Sequence, residues 1–355
     1  MLRLINNPEP SAAVFSASRR STVRQLPAPA KFGSESMLVK TPMPEEAVPN
    51  GGKRASRARP RLFPPTSITT RAACEFDALL AIHAHFQKLD DPRFGSVRPL
   101  HFDPQTGSIA MQRVIATELK YLLARRWIGS LVGRQLPAEI FHNTGAWLAA
   151  FHQMKWPPHA RERFARRDEW VASIEELAEF LIEQQGEAIF LRALAQRAGE
   201  LARRFLPPTL PTALAHSDFA PRNILVGPVE RITVLDTPAR WWAPTYMDVA
   251  YFLVGIKASR AQIYSQAWAF GQHDLMDWEC HFLAGYFGKS IPWSAVRLFE
   301  LQTAMDRWAA LAERGTEGSM PRTLAGRMWY ACRAPWMARF FRGYLQSVLH
   351  QMEQQ

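Results

Sequence analysis

The sequence predicts an α+β chain in two unequal parts, a small strand-rich part and a larger, mainly helical one. Three observations predict it. Residues 97–102 and 108–114 are β-like runs separated by Asp103-Pro104-Gln105-Thr106-Gly107. From Pro137 onward apolar residues fall at helical spacing, first Ile140, Trp147, Leu148 and Phe151, then Ile174, Leu177, Phe180 and Leu181. That helical stretch is interrupted by Asn223-Ile224-Leu225-Val226 and Arg231-Ile232-Thr233-Val234-Leu235, short β-like runs joined through Gly227 and Pro228.

In chain order, Ser36-Met37-Leu38-Val39-Lys40 reads as a strand whose last residue faces a cleft. Residues 69–86 place Phe76, Leu79, Leu80, Ile82 and Phe86 near helical spacing, with Thr69 or Thr70 as the cap. The runs around Asp103–Gly107 form a hairpin, because proline fixes φ early in the turn and glycine tolerates a positive φ at its end. Pro99 suits an edge strand, where a missing N–H breaks no ladder. Trp156-Pro157-Pro158 separates the first two long helical segments.

A chain of 355 residues, 47% hydrophobic, can bury the core of one large domain or two lobes. No signal-peptide hydrophobic region is visible, and no apolar run approaches the roughly 18 residues of a membrane span. Cys74, Cys280 and Cys332 lack zinc-site or disulfide spacing, so they are expected to be reduced and buried, as suits the cytoplasm. A net charge of +11 attracts polyanions without choosing among them. The densest basic run, Lys53-Arg54-Ala55-Ser56-Arg57-Ala58-Arg59-Pro60-Arg61, sits among Pro and Gly and is expected to be a solvated loop.

The most informative stretch is His216-Ser217-Asp218-Phe219-Ala220-Pro221-Arg222-Asn223, followed by the two short β-like runs and Asp236. Phosphoryl transfer needs a carboxylate to orient an acceptor hydroxyl and oxygen ligands to hold Mg²⁺ against nucleotide phosphates. This pattern supplies both, because the hairpin returns Asp236 to the side of Asp218 and Asn223. The stretch resembles the catalytic loop H-G-D-x-x-x-x-N of the aminoglycoside phosphotransferase branch of the protein-kinase-like superfamily.

The resemblance implies a bilobal fold: residues 1–35 as a leading segment, part of the first strands, 36–115 as a nucleotide-binding small lobe, and 116–355 as a catalytic and acceptor-binding large lobe. It implies a small-molecule kinase using ATP or GTP with Mg²⁺. Asp218 would be the catalytic aspartate, Asn223 and Asp236 the metal ligands, and His216 a brace for the loop. Asp248, in Tyr246-Met247-Asp248-Val249-Ala250, would cap a helix and hold the loop from behind. Lys40 and Glu75 would form the ion pair that positions the phosphates, although Lys40 by itself reads equally well as a surface lysine. Gln112 and Val114 would meet an adenine edge through the backbone. The sequence departs from the pattern in three places: no G-x-G-x-x-G precedes Lys40, Ser217 replaces glycine, and Pro238 follows Asp236 closely. A side chain at position 217 would be strained if φ there is positive.

Arg222, Trp241 and Trp242 are the candidate acceptor contacts, with burial in the core the equal reading for the two tryptophans. The positive charge disfavours a polycationic acceptor and favours an anionic or neutral one, such as a sugar. Arg327-Met328-Trp329-Tyr330 and Arg339-Phe340-Phe341-Arg342 mix cations with aromatics, which suggests an anionic membrane surface as a further partner, with Pro335 interrupting any helix there. No specific nucleic-acid partner is predicted. The competing reading is a catalytically degenerate relative that binds nucleotide or an anionic surface.

Overall fold

The computed structural model describes residues 14–17, 21–27, 36–42, 58–63, 68–128, 135–155, 161–237, 240–316 and 324–354. A five-stranded antiparallel sheet in the order β1-β2-β3-β6-β5 forms the small lobe. Its strands are β1 (Val14–Ala17), β2 (Ser21–Pro27), β3 (Ser36–Pro42), β5 (Pro99–Asp103) and β6 (Ser108–Gln112). The β5–β6 hairpin turns where the sequence places it. The Asp103 carboxylate accepts from the Gln105 N–H and the Thr106 hydroxyl at 2.9 and 2.7 Å, and Gly107 takes a φ of 67°. Pro99 lies on an edge strand. β3 runs two residues past Lys40, so the lysine is inside the strand and not at its end.

Helix α1 (Ile68–Leu89) packs on this sheet through Leu79, which clusters with Val97 and Ile109. It begins at Ile68, which puts Thr69 and Thr70 inside the helix, and their side chains lie outside the described residues. Leu80, at 47% exposure, is off its buried face. Ile82 and Phe86 reach the large lobe, where Phe86 stacks on Trp147 with ring centroids 4.7 Å apart. Burying such a pair of aromatics contributes about 1.5–3 kcal/mol each, which ties the lobes together through α1.

A second sheet, β4-β11-β10-β7, is built from β4 (Phe94–Gly95), β7 (Thr117–Glu118), β10 (Ile224–Val226) and β11 (Ile232–Val234). A third, β8-β12-β9, contains β8 (Arg161–Glu162), β9 (Thr212–Ala215) and β12 (Trp241–Pro244). The remainder is helical: α2 (Leu119–Ile128), α3 (Ala138–His152), α4 (Arg167–Gln185), α5 (Ala188–Phe205), α6 (Tyr246–Lys257), α7 (Arg260–Ser265), α8 (Gln272–Phe287), α9 (Trp293–Thr316) and α10 (Leu324–Glu353). Helices α3 and α8 approach closely because position 145 has no side chain, and a Cβ at Gly145 would sit 2.0 Å from the Phe282 carbonyl oxygen. Among the described residues no helix is long and apolar enough to cross a membrane.

Four expectations are corrected here. Helix α10 runs through Pro335, since Met337, Phe340, Phe341 and Leu345 bury into the large core and hold the helix despite the lost hydrogen bond. The burial of Phe340 and Phe341 also removes them from the surface, while the side chains of Arg327 to Tyr330 lie outside the described residues. Arg59 is not solvated: it pairs with Asp306 and Glu313 of α9 at 2.7 and 2.9 Å, and nearby Leu62 is buried in the large core. The rest of that basic run, through residue 57, lies outside the described residues. Cys280 and Cys332 are free but exposed, on outward faces of α8 and α10, and Cys74 is half-buried.

Candidate active site

Buried strand β9 delivers the chain into the loop that starts at His216. After it, a 3₁₀ turn at Pro221–Asn223 leads directly into β10. β10 pairs antiparallel with β11, Ile224 opposite Val234, and the Leu235 N–H donates to the Asn223 carbonyl at 2.8 Å. This short hairpin returns Asp236 beside Asn223. The Asn223 side-chain amide donates to the Asp218 carbonyl at 2.8 Å and to Asp218 Oδ2 at 2.9 Å. Its side-chain oxygen is thereby the atom left to face a cation. Arg222 contacts Asp218 Oδ1 and donates to the Tyr251 hydroxyl. Burial, with the negative charge of Asp218 beside it, pushes the Tyr251 phenol up to about 12, so it remains protonated.

The small lobe contributes Lys40. Its ammonium lies 2.5 Å from Glu75 Oε1 on α1 and 2.6 Å from Asp236 Oδ1. Burial by itself would lower the lysine pKa, but the two carboxylates more than offset this and hold it above its ordinary value. Asp236 is half-exposed, with a φ of 56°, a conformation aspartate adopts more readily than most residues. Pro238 lies outside the described residues.

Asp248 holds the loop. Its carboxylate accepts the backbone N–H of His216 at 2.6 Å and of Ser217 at 2.9 Å, and meets His152 Nε2 at 3.1 Å. It lies in the first turn of α6, whose N-cap is Thr245, so it does not cap that helix and spends its carboxylate on the loop instead. His152 is fixed in turn by the Tyr286 hydroxyl at 2.6 Å. His216 is fully buried, edge-on to Phe151 and Phe219, and burial keeps its imidazole below its ordinary pKa. Ser217 has a φ of 60°, the strained conformation that its replacement of glycine implies.

Gln112 ends β6, and its N–H donates to the Arg98 carbonyl at 2.9 Å. The Val114 side chain joins Val97, Ile109 and Leu235, next to Asp236. Trp241 and Trp242 pair with Ala215 and Leu214 of β9, the strand before the loop. Trp241 packs against the large core beneath the Arg163 guanidinium, 5.8 Å from its ring centroid. The structure thus brings together Asp218, Arg222, Asn223, Asp236, Lys40 and Glu75, with His216 and Asp248 behind them. Sequence reading missed Tyr251 and His152. A tyrosine three residues past Asp248 and a histidine after Phe151 carry no spacing signal of their own.

Known structures share this architecture. An amicoumacin kinase bound to AMP-PNP and Ca²⁺ aligns over 98% of this chain and 92% of its own, with a TM-score of 0.54 at 14% identity. An ethanolamine kinase of Plasmodium vivax aligns over 96% and 85%, with a TM-score of 0.53 at 12% identity. Spectinomycin phosphotransferase in complex with ADP and spectinomycin aligns over 97% and 92%, with a TM-score of 0.50 at 13% identity. The chain has the protein-kinase-like fold. At such identities the likeness speaks for the fold, and the chemistry has to be argued from the site. No family model and no curated protein matches the sequence.

Proposed function

We propose that the chain is a phosphotransferase that moves the terminal phosphoryl group of ATP or GTP to a hydroxyl of a small molecule. One observation carries this reading: Lys40 from the small lobe reaches Glu75 and Asp236 at once, with Asn223 and Asp218 hydrogen-bonded beside them. The donor set fits Mg²⁺, since a half-exposed carboxylate and an amide oxygen suit a hard cation that keeps water and phosphate oxygens as its other ligands. When bound, the ion would neutralise charge on the phosphates.

Lys40, held by Glu75, would pair with the phosphates, and Asn223 with Asp236 would hold the metal. Asp218 would orient the acceptor hydroxyl and take its proton as the acceptor oxygen bonds to the terminal phosphorus. The bond from that phosphorus to the bridging oxygen breaks, leaving the nucleoside diphosphate. Residues 36–115 supply the nucleotide-binding half of this site and 116–355 the catalytic half. A nucleotide-dependent reaction and free thiols suit the cytoplasm.

Thermal shift with ATP and with GTP, in the presence and absence of Mg²⁺, tests the reading on wild type and Asp236→Asn. The expected outcome is a metal-dependent rise in melting temperature that the variant loses. No shift with either nucleotide would leave a kinase fold without kinase chemistry.

A further inference from the structure

Glu75, which holds Lys40, stands two turns into α1. Phe86, near the C-terminal end of that helix, fixes it to the large lobe by stacking on Trp147. The N-terminal end has a tether of its own. Phe63 precedes Ile68 by five residues, a length of chain that spans at most about 18 Å, so whatever holds residues 58–63 also limits the start of α1.

Residues 58–63 are fastened to the large lobe by two arginines and an apolar side chain. The Arg59 guanidinium bridges two turns of α9, reaching Asp306 at 2.7 Å and Glu313 at 2.9 Å. The Arg59 side chain is 12% exposed and that of Asp306 17%, so loss of either partner leaves a charge largely shut off from water. Arg163 donates to the carbonyl of Arg61 at 2.7 Å and to that of Leu62. Leu62 is buried in the large core, with Phe63 packed against it. Both anchor points belong to elements that hold the loop from His216 to Asn223. Helix α9 shares its core with Met247 and Ala250 of α6, the helix whose Asp248 accepts from His216 and Ser217. The backbone N–H of Arg163 donates to the Trp242 carbonyl at 2.8 Å, and the neighbouring Trp241 pairs with Ala215, the residue before His216.

We propose that Arg59 is a positioning residue: by pinning residues 58–63 to α9 it sets the start of α1, and with it Glu75 and Lys40, against Asp236 and Asn223. This rests on the phosphotransferase reading. Lys40 meets Asp236 at 2.6 Å, and that contact has to yield when phosphate and metal take the two groups. The Arg59 anchor uses neither group, so it persists through the exchange and keeps the lobes in register.

The test is calorimetric titration of the full chain with AMP-PNP and Mg²⁺ at constant ionic strength. The proteins are wild type, Arg59→Gln, Arg59→Lys, Glu313→Gln and Glu75→Gln, with Glu75→Gln also combined with Arg59→Gln and with Glu313→Gln. Arg59→Gln should weaken AMP-PNP about tenfold, and Arg59→Lys should restore most of that. Glu313→Gln, which leaves the Asp306 pair intact, should weaken it about threefold and carries the same test if Arg59→Gln does not fold. In the Glu75→Gln background either change should lower affinity by less than about twofold, since the route to Lys40 is already cut. An equal loss in both backgrounds overturns the proposal, as does unchanged affinity in the single variants. Hydrogen exchange of the nucleotide-free proteins gives a reading that needs no ligand. Arg59→Gln should speed exchange across residues 68–79 of α1, with Arg59→Lys close to wild type; a change confined to residues 58–63 overturns the proposal. If wild type does not bind AMP-PNP, the phosphotransferase reading falls, and the exchange result decides by itself whether Arg59 anchors α1.

Discussion

Lys40 and Asp236 are 196 positions apart in the chain, yet the lysine ammonium lies 2.6 Å from the aspartate Oδ1. Lys40 also serves Glu75, so two carboxylates share one cation.

That sharing separates two variants. Lys40→Ala leaves Glu75 buried and unpaired, and should lower stability by about 3 kcal/mol as well as nucleotide affinity. Asp236→Asn removes one of two competing negative charges and should abolish phosphoryl transfer without loss of stability in the nucleotide-free protein. Urea unfolding of the two proteins, beside nucleotide titration, gives both readings; equal destabilisation would refute the shared-cation account.

Ser217 sits at a φ of 60°, where an L side chain crowds the backbone and glycine does not. Ser217→Gly should therefore stabilise by about 0.5–1 kcal/mol, the relief of strain being partly offset by the greater freedom of glycine when unfolded. The backbone N–H that donates to Asp248 is unchanged, so the loop geometry should persist. A lower melting temperature in the variant would show that the serine side chain contributes more than the strain it causes.

Asp248→Ala should be among the most damaging single changes in the large lobe. It strips the acceptor from the N–H groups of His216 and Ser217 and the partner from His152, all in a region closed to water. A loss of about 3 kcal/mol or more is expected, with Asp248→Asn milder because its amide oxygen still accepts one N–H. Denaturation midpoints of the two variants check the order.

Acid should weaken the fold in a defined window. Burial holds His83, His85 and His216 below the ordinary histidine pKa, so the folded chain resists protonation that the unfolded chain accepts. The contribution is fully present above about 6.5 and is lost as pH falls from there towards the folded values, by up to about 1.4 kcal/mol per pH unit for the fully buried His216 while only the unfolded state titrates, and by less for His83 and His85, which solvent screens. Urea midpoints at pH 7.5 and 5.5 should differ in that direction, and His216→Asn should reduce the difference. A midpoint that rises on acidification would overturn the assignment.

The loop from His216 to Asn223 was legible because its pattern is local. Asp218, Asn223 and Asp236 lie within one loop and one hairpin, and both are dictated by short runs of apolar residues and a tight connection. Lys40 and Glu75 were legible only through the resemblance, since neither a strand lysine nor a helix glutamate announces a partner. The helix through Pro335 and the docking of Arg59 on α9 were not legible. Each depends on tertiary packing that overrides a local preference, and local preferences are worth only about 3 kcal/mol even for proline.

By itself, the sequence determined the order of elements, the hairpin at Asp103–Gly107, and the carboxylates and amide that would do the chemistry, because periodicity and turn residues act over a few neighbours. Tertiary structure alone decided which charges meet. It gave Lys40 two partners and gave Asp248 to the loop instead of to its helix. Electrostatic pairing depends on distance and burial, and neither quantity exists until the chain has folded.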